Sequence, residues 1–270
     1  MRLISFALAV VALVLPAAAL HFENIFIMVF ENTRFEETIA DPNFRNFANK
    51  GILYSNWVAI THPSQPNYVY ITSGSTQGVD SDDLVSIPAR NIVDLLEERG
   101  FSWKSYEEGY PGNCFLGINS GRWAQKHSLT LFYQDVHTNP QRCAKVVEGG
   151  QLLKDIAKGK LPDVAFYTPD LDNDAHDTDV TFAGKYLKNF LKETNIEALY
   201  DVVLITFDES SPDNNGNHIY TAVGGRAVTN RGLIDNTALN HGSILKSMEL
   251  NFKLGSLVTN DTVATPFTVW

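Results

Sequence analysis

The sequence predicts an α/β fold: a three-layer domain with a largely parallel central sheet and helices on both faces. Three near-continuous apolar runs carry that reading: Asn24 to Phe30, Val164 to Tyr167, and Asp201 to Phe207. Enriched in Val, Ile and Phe, they have the look of parallel strands buried on both faces. Helical patterns fall between them, and such alternation indicates βαβ units. Each run also ends in a polar, acidic cluster, and in open α/β sheets ligands bind beyond the carboxyl ends of the strands.

Composition narrows the function classes. The chain has 270 residues, 44% hydrophobic and 19% charged. It is too apolar for a disordered chain and too polar for a multispanning membrane protein. Its 21 Lys+Arg against 31 Asp+Glu give a formal charge of −10. Such a surplus argues against nucleic-acid binding, which needs a clustered basic footprint. It also repels anionic bilayers, and no amphipathic basic helix offsets it, so stable membrane association is not expected.

In chain order, Arg2, the uncharged run Leu3 to Leu15, Pro16 and Ala17-Ala18-Ala19 read as a secretory signal peptide over residues 1–19. The run is shorter than the ~20 residues that span a bilayer. A single secreted domain over residues 20–270 is the expectation. Asn24 to Phe30 leads into Glu31-Asn32. The run Ile52 to Ile60 leads into Thr61-His62-Pro63-Ser64-Gln65-Pro66-Asn67-Tyr68. Asn91 to Arg99 reads as a helix ending at Gly100, a good C-cap residue. Asn113 to Gln141 is loop-rich. It lies almost within the span of Cys114 and Cys143, the two cysteines of the chain. Export favours a disulfide between them, with two buried thiols as the alternative. Val147 to Lys158, Phe182 to Thr194 and His241 to Leu250 are further helical patterns. Val164 to Tyr167 runs into the acidic stretch ending Asp172-Asn173-Asp174-Ala175-His176-Asp177, and Asp201 to Phe207 into Asp208-Glu209. Asn260-Asp261-Thr262 matches the N-glycosylation pattern.

Concentrated carboxylates with an amide and imidazoles at one sheet edge suit a hard or borderline divalent cation, since the like charges would otherwise repel. Ser64 stands where a Pro-bracketed turn enters a helix, an anion-binding position. A serine there attacks phosphorus if a metal lowers the cost of forming its alkoxide. The same serine could equally serve only as a helix cap.

Taken together, the blocks resemble a known family: the secreted phosphoesterases comprising bacterial and fungal acid phosphatases and phospholipases C, within the alkaline phosphatase superfamily. The resembling pieces are Val29 to Phe35, His62 to Tyr68, Asn173 to Asp177, Thr206 to Glu209 and Asn240 to Leu245. The resemblance implies an alkaline phosphatase-like fold and a phosphorylated nucleophile at Ser64. It implies one divalent metal ion, of unread identity, held by Glu31, Asn32, Asp208 and Glu209. Asn67, Asp174 and His62 would contact substrate, and His176 and His241 would act on the phosphate or its leaving group. The implied activity is a secreted acid phosphatase acting on small phosphate monoesters, with a phospholipase C-type phosphodiesterase as the alternative. A serine carboxylesterase is disfavoured because the nearest Gly-x-Ser-x-Gly match, Gly74 to Gly78, has Thr76 at its centre. An inactive binding module is disfavoured because every matched position keeps a chemically competent residue. Oligomeric state is not legible.

Overall fold

A computed structural model describes residues 22–212 and 216–269. The expected signal peptide, residues 1–19, lies outside the described residues. Across the main sheet the strands run in the order Leu233–Asp235, Ile52–Tyr54, Thr221–Gly224, Val202–Phe207, Ile25–Phe30, Val164–Thr168, Trp103–Glu107 and Val146–Glu148. Thr221–Gly224 is antiparallel to both neighbours, and the other pairings are parallel. This is the mixed, mostly parallel α/β sheet that the apolar runs predict.

Every residue of Ile25–Phe30 and of Val202–Phe207 is buried, which requires cover on both faces of the sheet. On one face Phe26 meets Phe190 of helix Val180–Thr194, and Phe30 meets Phe44 of helix Pro42–Asn49. Helix Ser64–Ser73 packs with helices Ile92–Glu98 and Gly242–Asn251 in a second group. The expected helices are present with shifted bounds. Asn91 caps Ile92–Glu98 through a reciprocal capping box with Asp94, and Val147 to Lys158 resolves into a short strand followed by helix Gln151–Lys158.

The region Asn113 to Gln141 is more ordered than its composition suggests. It holds a two-strand ribbon, Asn119–Ser120 with Trp123–Ala124, then a 3-10 turn at Gln125–His127. Cys114 and Cys143 form a disulfide with their Cα atoms 5.7 Å apart, as expected. With a sequence separation of 29, the cross-link removes about 3.5 kcal/mol of chain entropy from the unfolded state. A second tie is Glu107, at the end of its strand. Fully buried, it accepts from Ser105 Oγ (3.0 Å), Trp123 Nε1 (2.8 Å) and Ser128 Oγ (2.6 Å). One carboxylate thereby pins both sides of the turn that carries Lys126 and His127.

Candidate active site

The ladder of the sheet assembles the acids. Ile25–Phe30 lies between Val164–Thr168 and Val202–Phe207 in parallel register, with Phe30 opposite Phe207. The residues that follow emerge side by side. Asp208 N–H donates to Phe30 O at 2.9 Å, and Glu31 N–H donates to Asp174 O at 2.9 Å. Glu31, Asp174 and Asp208, each following a different strand, therefore meet in one place, and all three are buried. Burial and mutual repulsion push the carboxyls of Glu31 and Asp174 well above the usual range. Burial raises Asp208 to about 7, although hydrogen bonds from the Asn32 and Glu209 backbones and from Ser64 oppose the rise. Beside two of these acids the backbone is left-handed, at Asn32 (φ 47°) and Ala175 (φ 90°). Asparagine tolerates that region, whereas for alanine it is strained, a feature that concentrates at functional sites.

Ser64 is the first residue of helix Ser64–Ser73, as the turn before it predicts. Its Oγ donates to Glu31 Oε2 at 3.0 Å, and the Tyr68 hydroxyl, one turn later, donates to Glu31 Oε1. Asn67 holds the turn in front of the serine. Its Oδ1 accepts from Ile60 N (3.1 Å) and Thr61 N (3.2 Å), while its Nδ2 donates to Thr61 O at 2.9 Å. That Nδ2 also reaches Glu209 Oε2 at 3.3 Å, and His62 Nδ1 lies 3.1 Å from the same oxygen. Asn67, His62 and Glu209 thus form one polar cluster under the turn that precedes Ser64.

The two histidines expected to act on the phosphate or its leaving group are placed differently. His176 is half-buried; its N–H donates to Asp174 Oδ1 (2.8 Å) and its Nδ1 lies 2.8 Å from Asp177 Oδ1. His241 is fully buried with Nε2 2.6 Å from the Asp208 carbonyl, so Nε2 carries the hydrogen. Burial lowers its pKa to about 4, despite the opposing carbonyl bond, and its Nδ1 has no hydrogen-bond partner.

A further imidazole, His127, escaped sequence reasoning. It is buried, with Nε2 3.3 Å from Glu31 Oε1 and Nδ1 3.2 Å from Asp174 Oδ2. The Tyr68 ring stacks on it at 5.5 Å, and the His176 ring lies 5.3 Å away. Burial first, then the charges of Lys126 and His176, hold its pKa well below the ordinary value. Its Nε2 and Asp174 Oδ2 nevertheless have no hydrogen-bond partner, so the imidazole stands between the two acids without satisfying them.

The donor set fits a divalent cation. Asn32 Oδ1 and Asp208 Oδ2 are buried oxygens without a hydrogen-bond partner, next to Glu31 and Ser64. Orphaned buried oxygens are costly and are the ligand type that hard cations take. A neighbouring group, Glu31, His127 and His176, offers donor atoms within 4.8 Å of one another. The raised carboxyls give this site a pH signature. Asp208 titrates near 3.9 when unfolded and near 7 when folded, so the ion-free folded state holds a proton that the unfolded chain has released. Stability of chelator-treated protein should therefore fall as pH rises from about 4 to about 7. Added divalent cation should restore it, most strongly at the alkaline end. Melting curves in which the chelated protein gains stability across that window would contradict the assignment.

The profile of the Phosphoesterase family matches residues 34–255. The chain is 34% identical over 254 residues to a probable acid phosphatase of Kluyveromyces lactis, covering 89% of this chain and 60% of the relative. It is 34% identical over 250 residues to an acid phosphatase of Aspergillus fumigatus, covering 87% and 56%. It thus spans under two thirds of the length of these fungal relatives. A phosphatidylinositol-3-phosphatase of Mycobacterium tuberculosis is 26% identical over 250 residues, with 87% and 79% covered. Among solved structures, an alkaline phosphatase superfamily protein from Vibrio parahaemolyticus superposes with a TM-score of 0.61 at 12% identity, covering 93% of this chain and 71% of that one. A phosphonate monoester hydrolase of Agrobacterium radiobacter gives 0.60 at 10% identity, covering 90% and 78%. Both share the fold of this chain. On the extent of the profile match and the identity to the fungal sequences, the chain belongs to the Phosphoesterase family.

Proposed function

We propose that this protein is a secreted acid phosphatase that hydrolyses phosphate monoesters through a phosphoserine at Ser64, beside one divalent metal ion. The observation that carries the reading is the Ser64 hydroxyl. It is buried at the start of a helix, bonded to Glu31, and adjacent to the unpartnered oxygens of Asn32 and Asp208. Glu31, Asn32 and Asp208 would hold the ion, which supplies Lewis-acid stabilisation of the serine alkoxide and the phosphoryl oxygens. Glu209 reaches the same region through its bond to Asn67.

In the first step Ser64 Oγ forms a bond to phosphorus as the bond to the ester oxygen breaks, and the hydroxyl proton passes along the hydrogen bond to Glu31. His176 donates a proton to the departing oxygen, with Asp177 orienting its Nδ1–H. His241 suits that role less well, because burial keeps it neutral and its N–H is committed to the Asp208 carbonyl. Water then attacks phosphorus and gives a proton to His176, while the Ser64–phosphorus bond breaks and Ser64 Oγ takes back the proton held by Glu31, releasing inorganic phosphate. Asn67 keeps the serine aimed by bracing the turn. The disulfide supports an exported, oxidising location. Among the described residues, no helix is long and apolar enough to cross a membrane.

Assays with p-nitrophenyl phosphate, bis(p-nitrophenyl) phosphate and p-nitrophenyl acetate, with and without chelator, test the reading. The expected pattern is chelator-sensitive release from the monoester at acid pH and none from the acetate. Turnover confined to the diester at neutral pH would replace it with the phosphodiesterase alternative.

A further inference from the structure

Lys126 lies at the site but has no part in the chemistry above. Its Nζ is 3.0 Å from Asp82 Oδ2 and 3.1 Å from His176 Nε2. Asp82 is itself anchored: its Oδ1 accepts from the backbone N–H of Gln65, the residue after Ser64, at 3.0 Å. The ammonium is thus held between the first turn of the nucleophile's helix and the imidazole of His176. Its charge acts on Glu31 and Asp208 as well. An ammonium has donors only, so His176 meets it with the lone pair of Nε2, and Nδ1 carries the hydrogen given to Asp177. Nε2 therefore already faces a positive charge, within the Glu31, His127 and His176 group whose donors could otherwise converge on a cation.

A phosphate monoester dianion presents three terminal oxygens and two negative charges, and a diester two oxygens and one charge. Around Ser64 the surroundings are rich in carboxylates, so the additional charge of a monoester needs a further cation close by. We propose that Lys126 is a specificity-determining residue that selects phosphate monoesters over diesters, its ammonium leaving His176 Nε2 to bind a terminal phosphoryl oxygen. The assignment rests on the phosphatase reading above. The exchange has a second consequence: Nε2, released from the ammonium, can take the proton that His176 delivers to the leaving oxygen. Asp82 keeps the ammonium charged and tethered on the serine side throughout.

The test compares the wild-type chain with Lys126→Gln and Lys126→Arg. It measures kcat/KM for p-nitrophenyl phosphate and bis(p-nitrophenyl) phosphate, together with inhibition by inorganic phosphate. Losing one charge-assisted hydrogen bond should reduce monoester kcat/KM at least about tenfold more than diester kcat/KM. Phosphate inhibition should weaken by a similar factor, and Lys126→Arg should keep the monoester preference. If Lys126 only braces Asp82 and the helix, both esters fall together and phosphate inhibition holds; that result, or no change at all, overturns the proposal. A wild type that hydrolyses neither ester overturns the phosphatase reading, and this assignment with it. An active wild type whose preference survives Lys126→Gln overturns this assignment alone.

Discussion

Ser64→Ala is expected to lose at least about a thousandfold in the rate of phosphate monoester hydrolysis, the scale of about 4 kcal/mol in the activation barrier. The residue is buried and small, and what it forfeits structurally is a hydrogen bond to Glu31. A net loss of about 1 kcal/mol is the expected stability cost, or roughly 2–4 °C in Tm for a domain of this size. Glu31 keeps its bond from the Tyr68 hydroxyl, so the acid cluster stays organised. The fall in rate with only a small fall in Tm separates a catalytic defect from misfolding. Rapid acid quenching with 32P-labelled substrate should trap label on the wild-type protein and none on the variant. Wild-type turnover by the alanine variant would remove Ser64 from the mechanism.

Asp208→Asn has a different signature. The carboxylate follows the strand Val202–Phe207, accepts from the Asn32 N–H at 3.1 Å, and leaves Oδ2 without a hydrogen-bond partner. Its replacement should remove bound metal and at least about a hundredfold of the activity, since weakening even the support of a metal ligand costs tenfold to a hundredfold. The stability effect should run the other way. At about pH 8 and with chelator present, wild-type protein carries a buried charge on Asp208, whose pKa burial has raised to about 7. The amide removes that charge and keeps an acceptor for Asn32, so the ion-free variant should melt at or above the wild-type temperature. The stabilisation by added divalent cation should vanish with it. Elemental analysis showing full metal occupancy in an active Asp208→Asn protein would contradict the assignment.

The strands that build the site were legible because of where they sit. Ile25–Phe30, Val164–Thr168 and Val202–Phe207 are neighbours in the sheet, buried on both faces, and such strands are strongly enriched in apolar residues. Trp103–Glu107 escaped notice because its pattern is broken by Lys104 and Glu107. The first pairs with Asp155 at 2.6 Å and the second accepts from Trp123 and Ser128. These partners are distant in sequence, so nothing local announces that a charged residue is satisfied inside a sheet. Thr221–Gly224 is a short antiparallel strand whose residues gain their burial from the sheet and not from their own pattern.

The candidate site divides in the same way. Glu31, Asp174, Asp208 and Ser64 were legible because each lies just beyond a strand or at the start of a helix, where regular geometry forces the chain to turn toward one edge. Lys126 and His127 were not. They sit on a loop that no period describes, and they reach the acids only because Glu107 and the Cys114–Cys143 disulfide tie that loop across the sheet. By itself the sequence determined the layered α/β class and brought three acids and a serine to one edge, because strand and helix periodicities are local properties. The tertiary structure alone decided which imidazole stands between the acids, which is buried neutral against a carbonyl, and where an ammonium completes the cluster. Those choices are made by burial and by long-range hydrogen bonds, whose energies exist only once the chain is packed.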